Sequence, residues 1–448
     1  MFNSICKQHC RAVLPVCIRV SLACVFISVS TVSQANLSLD EINEKVTAYQ
    51  QTQKVWQQQH DILKLERQHQ LSWQNPTLSV QQTGLKNSQD QELEVAISQP
   101  IDVFSVRRKA ADLVNLQTEQ LALLEKSTQQ QQALALEYFW VQLQLLSQEV
   151  ELLKQQLNMS QANLDATKQR FKAGSIAQLE VERVDVQHLD LQATYAQQVQ
   201  ALQVMKRQLS HTWGENTTAY ELSALKPLTK TSLYENQSYD EKSNVNVSLM
   251  QLQSRQYEAQ RAYLKAQAKP MPTVNVGVVY RQDAESKLKE QQLRVGLELP
   301  LAIFQRQQYR QQIENIKMQG VAQAQSRDVQ TRDLNRSAID AEYDMIYTQY
   351  EQIMQQQMPL VTSIKEKTLL GFMAGKYSVT DVQLATSALK QCQLHALQLK
   401  KQLWGKYLQQ KAVLLGISFE QISNLNAVTD LNQMVWRNRS NLPVVGGE

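Results

Sequence analysis

Apolar side chains follow two different periods along the chain, and the same change of period occurs twice. The stretches at about 103–172 and 304–371 carry apolar residues three and four positions apart, which predicts long helices packed as coiled coils. Return helices with the same spacing follow at about 176–210 and 377–415. The Gln-rich stretch at 36–72 is predicted as one further helix. Elsewhere apolar and polar residues alternate, which predicts half-buried strands at about 76–84, 92–100, 272–281 and 291–300.

The order of these elements is repeated. Residues 99–104 (QPIDVF) resemble residues 299–304 (LPLAIF), and residues 171–175 (FKAGS) resemble residues 372–376 (FMAGK), each about 200 positions later. Ordered matches at one offset indicate a duplicated unit of a helix, a β-hairpin and a pair of long helices. The predicted segments are a first repeat at 36–212, a connector at 213–243, a second repeat at 244–416 and a C-terminal segment at 417–448.

The first 35 residues have the pattern of a secretory signal peptide. Basic residues precede an apolar stretch, and Ser33-Gln34-Ala35 places small residues at the positions expected before cleavage after Ala35. Four of the five cysteines lie in this segment, so the mature chain keeps only Cys392 and cannot form an internal disulfide. No later apolar run reaches 18 residues, so we expect strands to be the only segments that could cross a membrane.

Composition supports helices and argues against several classes of protein. The 448 residues include only 12 Gly and 9 Pro, and about 15 % of them are Gln, which favours long uninterrupted helices; Pro359 is predicted to kink one of these. A net charge of +4 with acids and bases interspersed indicates no nucleic-acid surface. We find no nucleophile–His–acid set, phosphate loop or metal-ligand spacing, so we predict no enzyme, no cofactor and no metal site.

Four strands of about nine residues have a physical consequence. Each strand is long enough to cross a bilayer when tilted, but four strands cannot close into a barrel. An open sheet edge in lipid would leave backbone N–H and C=O groups unpaired. Several chains must therefore pool their strands. We predict a mostly α fold with membrane β, in which a trimeric 12-stranded β-barrel, four strands from each chain, continues into a long coiled-coil α-helical barrel. The predicted lipid-facing residues are Leu93, Val95, Val276, Val278, Val295 and Leu297. The predicted lumen-facing residues are Glu94, Arg294 and Glu298.

Five short motifs in one order resemble those of the TolC-like outer membrane factors, the outer membrane efflux proteins. They are NPTL at 75–78, ISQPIDVF at 97–104, RFKAGS at 170–175, LPLAIF at 299–304 and GFMAGKYSVTDV at 371–382. The strand-end motifs are most similar to the heavy-metal cation efflux (CzcC-like) branch. The resemblance implies a homotrimer in the bacterial outer membrane with a periplasmic helical domain.

The resemblance also implies partners and a function. A periplasmic adaptor (membrane fusion) protein and an inner-membrane pump, of the RND type, would work with the chain as a tripartite efflux system. The chain would be the passive exit duct for metal cations or drugs. Two alternatives stay open: an outer membrane duct of a type I protein secretion system, and an exported coiled-coil scaffold without a channel.

The residues that match the family's helix-tip motif are expected to contact the adaptor. They are Ala173, Gly174, Ala374 and Gly375. Asp381 matches an acidic position that lines the closed periplasmic entrance in some members, but a charge at a helix start in the first turn after Gly375 is the alternative interpretation. A second entrance acid that is common three residues later is replaced by Leu384.

Overall fold

A computed structural model describes residues 36–85, 90–235, 244–283, 285–286, 288–301, 303–304 and 306–437. The predicted signal peptide, the end of the predicted connector and the last 11 positions of the predicted C-terminal segment lie outside the described residues. In chain order the elements are β1 (Asn36–Leu37), α1 (Leu39–Gln50), α2 (Thr52–Leu71), β2 (Thr77–Thr83), β3 (Gln91–Pro100), α3 (Val106–Lys172), α4 (Gln178–His211), β4 (Glu221–Leu222), α5 (Ser232–Glu235), α6 (Val245–Gln267), β5 (Thr273–Gln282), β6 (Lys289–Glu298), α7 (Gln308–Gln352), α8 (Met358–Met373), α9 (Val379–Leu415), α10 (Phe419–Ile422) and α11 (Ala427–Arg437).

The strands form two sheets of different size. β1 and β4 make a short parallel pair, whereas β2, β3, β5 and β6 make a four-stranded antiparallel sheet in that order. The two hairpins of the duplicated plan therefore join through β3 and β5. The mostly helical fold with a small antiparallel sheet is confirmed.

The long helix α3 is continuous over 67 residues, or about 100 Å. It begins where Asp102 accepts hydrogen bonds from the backbone N–H groups of Val106 (2.8 Å) and Arg107 (3.0 Å). The Arg107 guanidinium also stacks over the Trp73 ring, 4.1 Å from its centre. These contacts fix the direction in which the helix leaves the sheet. Among the described residues, no helix combines the length and the apolar content needed to cross a bilayer.

Two predicted helices are interrupted. The stretch predicted as one helix at 36–72 is two helices, because Gln51 adopts a left-handed conformation (φ 51°) between α1 and α2. The second long helix contains a π-helical turn at Ile353–Gln357 directly before Pro359, which lies in the first turn of α8. Proline lacks the N–H group that would continue the α-helical hydrogen bonds, and the wider turn absorbs that loss.

The largest apolar cluster lies midway along α3. Leu136, Phe139 and Leu143 are each at most 1 % exposed there, and they pack with residues from α9 and α11. Nearer the tips, α3 and α9 run antiparallel in one register. Gln156 donates to Gln393 (3.1 Å), and Asn163 donates to Thr386 (3.4 Å).

Candidate functional site

The four-stranded sheet has one apolar face and one polar face. Residues opposite each other on neighbouring strands point to the same side, so the register Leu78–Ile97–Val276–Val295 defines one row of the apolar face. Two residues further along each strand, Val80, Val95, Val278 and Leu293 form a second row of the same face. All six residues predicted to face lipid lie on this apolar face, and the three predicted to face the lumen lie on the polar face.

Large side chains on the apolar face are open to solvent in the single chain. Leu78 is 64 % exposed, Val295 67 % and Leu297 69 %. Exposed apolar surface of this extent marks a site that contacts another molecule or a membrane. Nine members of the face are exposed in this way: Leu78, Val80, Leu93, Ile97, Val276, Tyr280, Leu293, Val295 and Leu297.

The polar face carries a small charge network that crosses three strands. Arg294 on β6 donates to Glu94 (2.6 Å) and to Glu92 (3.5 Å), both on β3. Arg294 lies opposite Gly277 on the intervening strand, where a side chain is absent, and this leaves room for the guanidinium to pass. A Cβ atom on Gly277 would lie 2.6 Å from the Cβ of Ala96. Sequence reasoning identified Glu94 and Arg294 but missed Glu92, because the pairing depends on the strand order.

Two tight turns connect the long helices at the far ends from the sheet. Gly174 (φ 71°) and Gly375 (φ 74°) both adopt the left-handed conformation that ends a helix. Their N–H groups donate to Phe171 and Phe372, each at 2.9 Å. Nothing lies within 4 Å of the position that a Cβ would take on either glycine. The four predicted tip residues, including Ala173 and Ala374, are exposed.

The two tips are held side by side by a contact that the sequence did not reveal. Arg170, in the last turn of α3, donates to the carbonyl oxygens of Tyr377 (3.3 Å) and Phe372 (3.5 Å). Its guanidinium lies 4.5 Å from the centre of the Phe372 ring, which is 2 % exposed. The duplication aligns Arg170 with Gly371, so only the first tip carries this side chain.

Asp381 forms part of a capping box at the start of α9. The Ser378 hydroxyl (2.7 Å) and backbone N–H (2.8 Å) donate to its carboxylate, and its own N–H donates to the Ser378 hydroxyl at 3.2 Å. These hydrogen bonds, that of the hydroxyl first, hold the pKa of Asp381 below its usual value. The geometry therefore supports the interpretation of a helix-start charge. Leu384, one turn later, is 66 % exposed.

His188 and Cys392 lie where long helices pack against each other. His188 Nδ1 and Ser160 Oγ are 3.3 Å apart between α4 and α3, so the polar interruptions of two apolar seams meet each other. Cys392 is buried on α9, and burial raises the pKa of its thiol. Within the described ranges, no group of three or more His, Cys, Asp or Glu side chains could hold a metal ion.

Comparison with known proteins gives a result at the level of structure. No model of a protein family matches the sequence, and no curated protein is detectably similar to it. Solved structures do match. The outer membrane protein VceC from Vibrio cholerae has 12 % identity and a TM-score of 0.63, over 85 % of this chain and 96 % of VceC. The chain shares the fold of this outer membrane protein.

The chain also shares its fold with solved outer membrane channels. The outer-membrane channel OprN has 13 % identity and a TM-score of 0.64 over 85 % of this chain and 90 % of its own. The Campylobacter jejuni outer membrane channel CmeC has 11 % identity and a TM-score of 0.59, over 91 % of this chain and 90 % of CmeC. The predicted TolC-like fold is therefore confirmed. OprN and CmeC are channels rather than enzymes, and the comparison does not single out the heavy-metal branch.

Proposed function

We propose that the chain is the outer membrane channel-tunnel of a tripartite, RND-type efflux system and forms a passive exit duct for metal cations or drugs. The observation that carries the proposal is the exposed apolar face of a sheet whose other face is polar, in a chain with an outer membrane channel fold. In this arrangement the apolar face meets lipid and the face with Arg294, Glu94 and Glu298 lines the pore.

The sheet and the outer helices both support a homotrimer. In the described part of the chain, β2 and β6 each pair on one side only, and edges of this kind are excluded from lipid unless another strand covers them. Three chains supply twelve strands, enough for a closed sheet with a water-filled interior. Pairing β6 of one chain with β2 of the next removes the open edges of the four-stranded sheet.

The helices offer a matching head-to-tail contact. Within the chain, α3 and α9 meet, which leaves α4 and α8 at the two outer sides. Both outer sides expose apolar residues, among them Val186 (58 %) and Leu189 (55 %) on α4, and Leu360 (63 %) and Leu370 (68 %) on α8. If α4 of one chain packs on α8 of the next, the contact repeats and closes a ring.

The helix tips are the sites at which we propose that a periplasmic adaptor binds. Ala173, Gly174, Ala374 and Gly375 are exposed, and nothing lies within 4 Å of the Cβ position of either glycine. Asp381 lies beside the second tip and would place one negative charge per chain near the entrance, where it attracts cations. The adaptor would join this end to an inner-membrane pump.

A pair of neighbouring substitutions on β6 tests the orientation of the sheet. Val295→Arg puts a charge on the apolar face and should cost about 2–4 kcal/mol per chain if that face meets lipid. We expect it to abolish heat-sensitive, detergent-extracted trimers, measured by semi-native electrophoresis of membrane fractions. Gln292→Arg is the matched control on the polar face and should leave the trimer yield unchanged. Equal yields from the two variants would overturn the proposed lipid face.

The cargo and the pump are tested in cells. Deletion of the gene should raise sensitivity to metal salts, dyes or antibiotics, and the adaptor captured by cross-linking should belong to an RND pump. Capture of an ABC transporter's adaptor, with unchanged sensitivity and a lost secreted polypeptide, would instead indicate a type I secretion duct.

A further inference from the structure

The two β-hairpins of the large sheet share one register. In the first hairpin Thr77 on β2 lies opposite Ser98 on β3, and in the second Thr273 on β5 lies opposite Glu298 on β6. Each residue of β2 therefore has a counterpart on β5, and each residue of β3 has a counterpart on β6. The pairing of β3 with β5 thus gives the geometry that we expect where β6 meets β2 of the next chain.

This correspondence fixes how the two edge strands would pair. Within the chain, Ile97 on β3 lies opposite Val276 on β5. Their counterparts are Leu297 on β6 and Val80 on β2, which would therefore lie opposite each other across the junction between chains. Both belong to the exposed apolar face. A slip by one residue would turn one strand over and put apolar side chains beside polar ones, so this register keeps both faces continuous.

The correspondence continues past the strands, toward the helices. Val103 donates a backbone hydrogen bond to Ile101 (3.0 Å), and Ile303 donates the same bond to Leu301 (2.9 Å). Ile101 also donates to the carbonyl oxygen of Pro272 (2.8 Å), so the contact between β3 and β5 extends beyond the sheet. The next residue is a phenylalanine in both repeats, and the repeats differ in length only after it, since α7 begins two residues later than the correspondence with α3 requires.

The two phenylalanines have different surroundings. Phe104 is half-buried, and Lys269 Nζ lies 4.7 Å from the centre of its ring. Phe304 is 91 % exposed. Lys269 precedes β5 by four residues, and its counterpart, four residues before β2, is Trp73. Because β2 and β6 are the opposite edges of the sheet, a second copy of the chain is needed to bring Trp73 beside Phe304.

The ring of Trp73 is held in place within its own chain. The Arg107 guanidinium lies over it, and that guanidinium donates to Asp102 (3.3 Å) and to the carbonyl oxygen of Leu71 (3.0 Å). Trp73 nevertheless remains 61 % exposed. A ring that is already fixed loses little side-chain entropy when it meets another, and two aromatic rings attract each other beyond the apolar area that they bury.

We propose that copies of this chain are joined by a contact between Phe304 of one chain and Trp73 of the next, at the end of the β6–β2 junction where the helices begin. A closed ring of three chains would contain three such contacts. The inference rests on the proposed function for the pairing of β6 with β2, and it adds the register of that pair and the side chains that hold it. The competing environment for both rings is the headgroup region of the membrane, where each aromatic residue would act independently.

Pairs of introduced cysteines test the register. Residues directly opposite each other have Cα atoms about 4.5–5.5 Å apart, which a disulfide can span, whereas diagonal neighbours are about 7–8 Å apart and too distant. Leu297→Cys with Val80→Cys should therefore give covalent trimers on non-reducing electrophoresis of oxidised, heated membrane fractions. The matched control, Leu297→Cys with Leu78→Cys, is slipped by two residues and should give about tenfold less. More cross-linking in the slipped pair would overturn the register.

A double-mutant cycle tests the aromatic contact. Trp73→Leu and Phe304→Leu should each lower the temperature at which the trimer dissociates by about 5 °C, because each removes three contacts per trimer. The double variant should lose no more than the larger single loss, since both substitutions break the same contact. Tyr309→Leu, at an aromatic residue that is 73 % exposed, is the matched control, and any loss that it causes should add to that of Trp73→Leu.

The outcomes separate this inference from the proposed function. Trimers of the unmodified protein in which the losses at Trp73 and Phe304 add would overturn the aromatic contact and leave the duct in place. An unmodified protein that forms no trimer in membranes would overturn both.

Discussion

The two helix tips have the same backbone turn but different side-chain surroundings. Both turns end a long helix with Ala-Gly, place the glycine at a φ near 70° and return the chain in the same direction. Yet Phe372 at the second tip is 2 % exposed, whereas its counterpart Phe171 at the first tip is 41 % exposed. Duplication therefore preserved the turn, while the residues around it diverged.

The two tips contribute different groups to the contact between them. The first tip supplies Arg170, which binds the second tip, and the second tip supplies the ring and carbonyl groups that Arg170 contacts. The second tip also begins its return helix with the Ser378–Asp381 capping box, whereas Ala177 at the same position of the first tip has no side chain that could cap. In a ring of three chains, Arg170 would stabilise the contact between the two tips of its own chain. It would not stabilise the contact between tips of neighbouring chains.

The largest effect should come from the two phenylalanines. Phe372→Ala removes a fully buried ring and should lower the free energy of unfolding by about 3–5 kcal/mol. Phe171→Ala, its counterpart, should cost less than about 1 kcal/mol. Chemical denaturation followed by the helical circular dichroism signal measures both. Similar costs would show that Phe171 is buried as deeply as Phe372 in the assembled protein.

A smaller effect is expected at the brace between the tips. Arg170→Ala removes two hydrogen bonds from a charged donor and a cation–π contact and should cost about 1–2 kcal/mol. Arg183→Ala, which removes an exposed ion pair with Glu180 at the first tip, is the matched control and should cost about 0.5 kcal/mol or less. A pair of cysteines, one introduced at each tip of the same chain, should cross-link more readily when Arg170 is present than in the Arg170→Ala variant.

The smallest effect on stability is expected at the capping residues, where opposite substitutions can be made at the two tips. Ser378→Ala should cost about 1 kcal/mol, and Ala177→Ser should stabilise the first tip by a similar or smaller amount. Ala177 already has the extended backbone of a capping residue, with φ −77° and ψ 154°. Unfolding midpoints of the two variants, measured in one buffer, test both directions. A stabilising Ser378→Ala would contradict the capping geometry.

The pKa of Asp381 adds a pH dependence to the second tip. Because the pKa is lowered in the folded chain, its contribution to stability is complete above the pKa of the unfolded chain and is lost as the pH falls through the folded value. Ser378→Ala removes a cause of the shift, so the variant should lose less stability than the unmodified protein between about pH 6 and pH 3. Parallel curves for the two proteins would contradict this assignment.

Much of this architecture follows from local sequence. The alternation of Val276, Gly277 and Val278 divides the strand between two faces because the period of a strand is two. Ala-Gly at both tips is sufficient to predict the turns, since glycine is the residue best suited to a positive φ at a helix end. The position of Asp381 after Gly375 was enough to predict a charge at a helix start, whereas its pairing with Ser378 in a capping box was not predicted.

What the sequence did not reveal depends on relations between distant segments. Arg170 on α3 meets Phe372 on α8 only because the two tips lie side by side, and Arg294 meets Glu92 only once β5 lies between their strands. The break at Gln51 has no proline or glycine to mark it. Tertiary packing decides such contacts, and local periodicity carries no signal for them.

The central claim is that copies of this chain form a water-filled duct through a lipid bilayer. The most direct test is the ion conductance of the purified full-length trimer in a planar lipid bilayer. We expect stepwise, long-lived conductance increases with the unmodified protein and with Gln292→Arg, and none with Val295→Arg. Trimers that insert into the bilayer without any conductance, even after Arg170→Ala loosens the tips, would contradict the account.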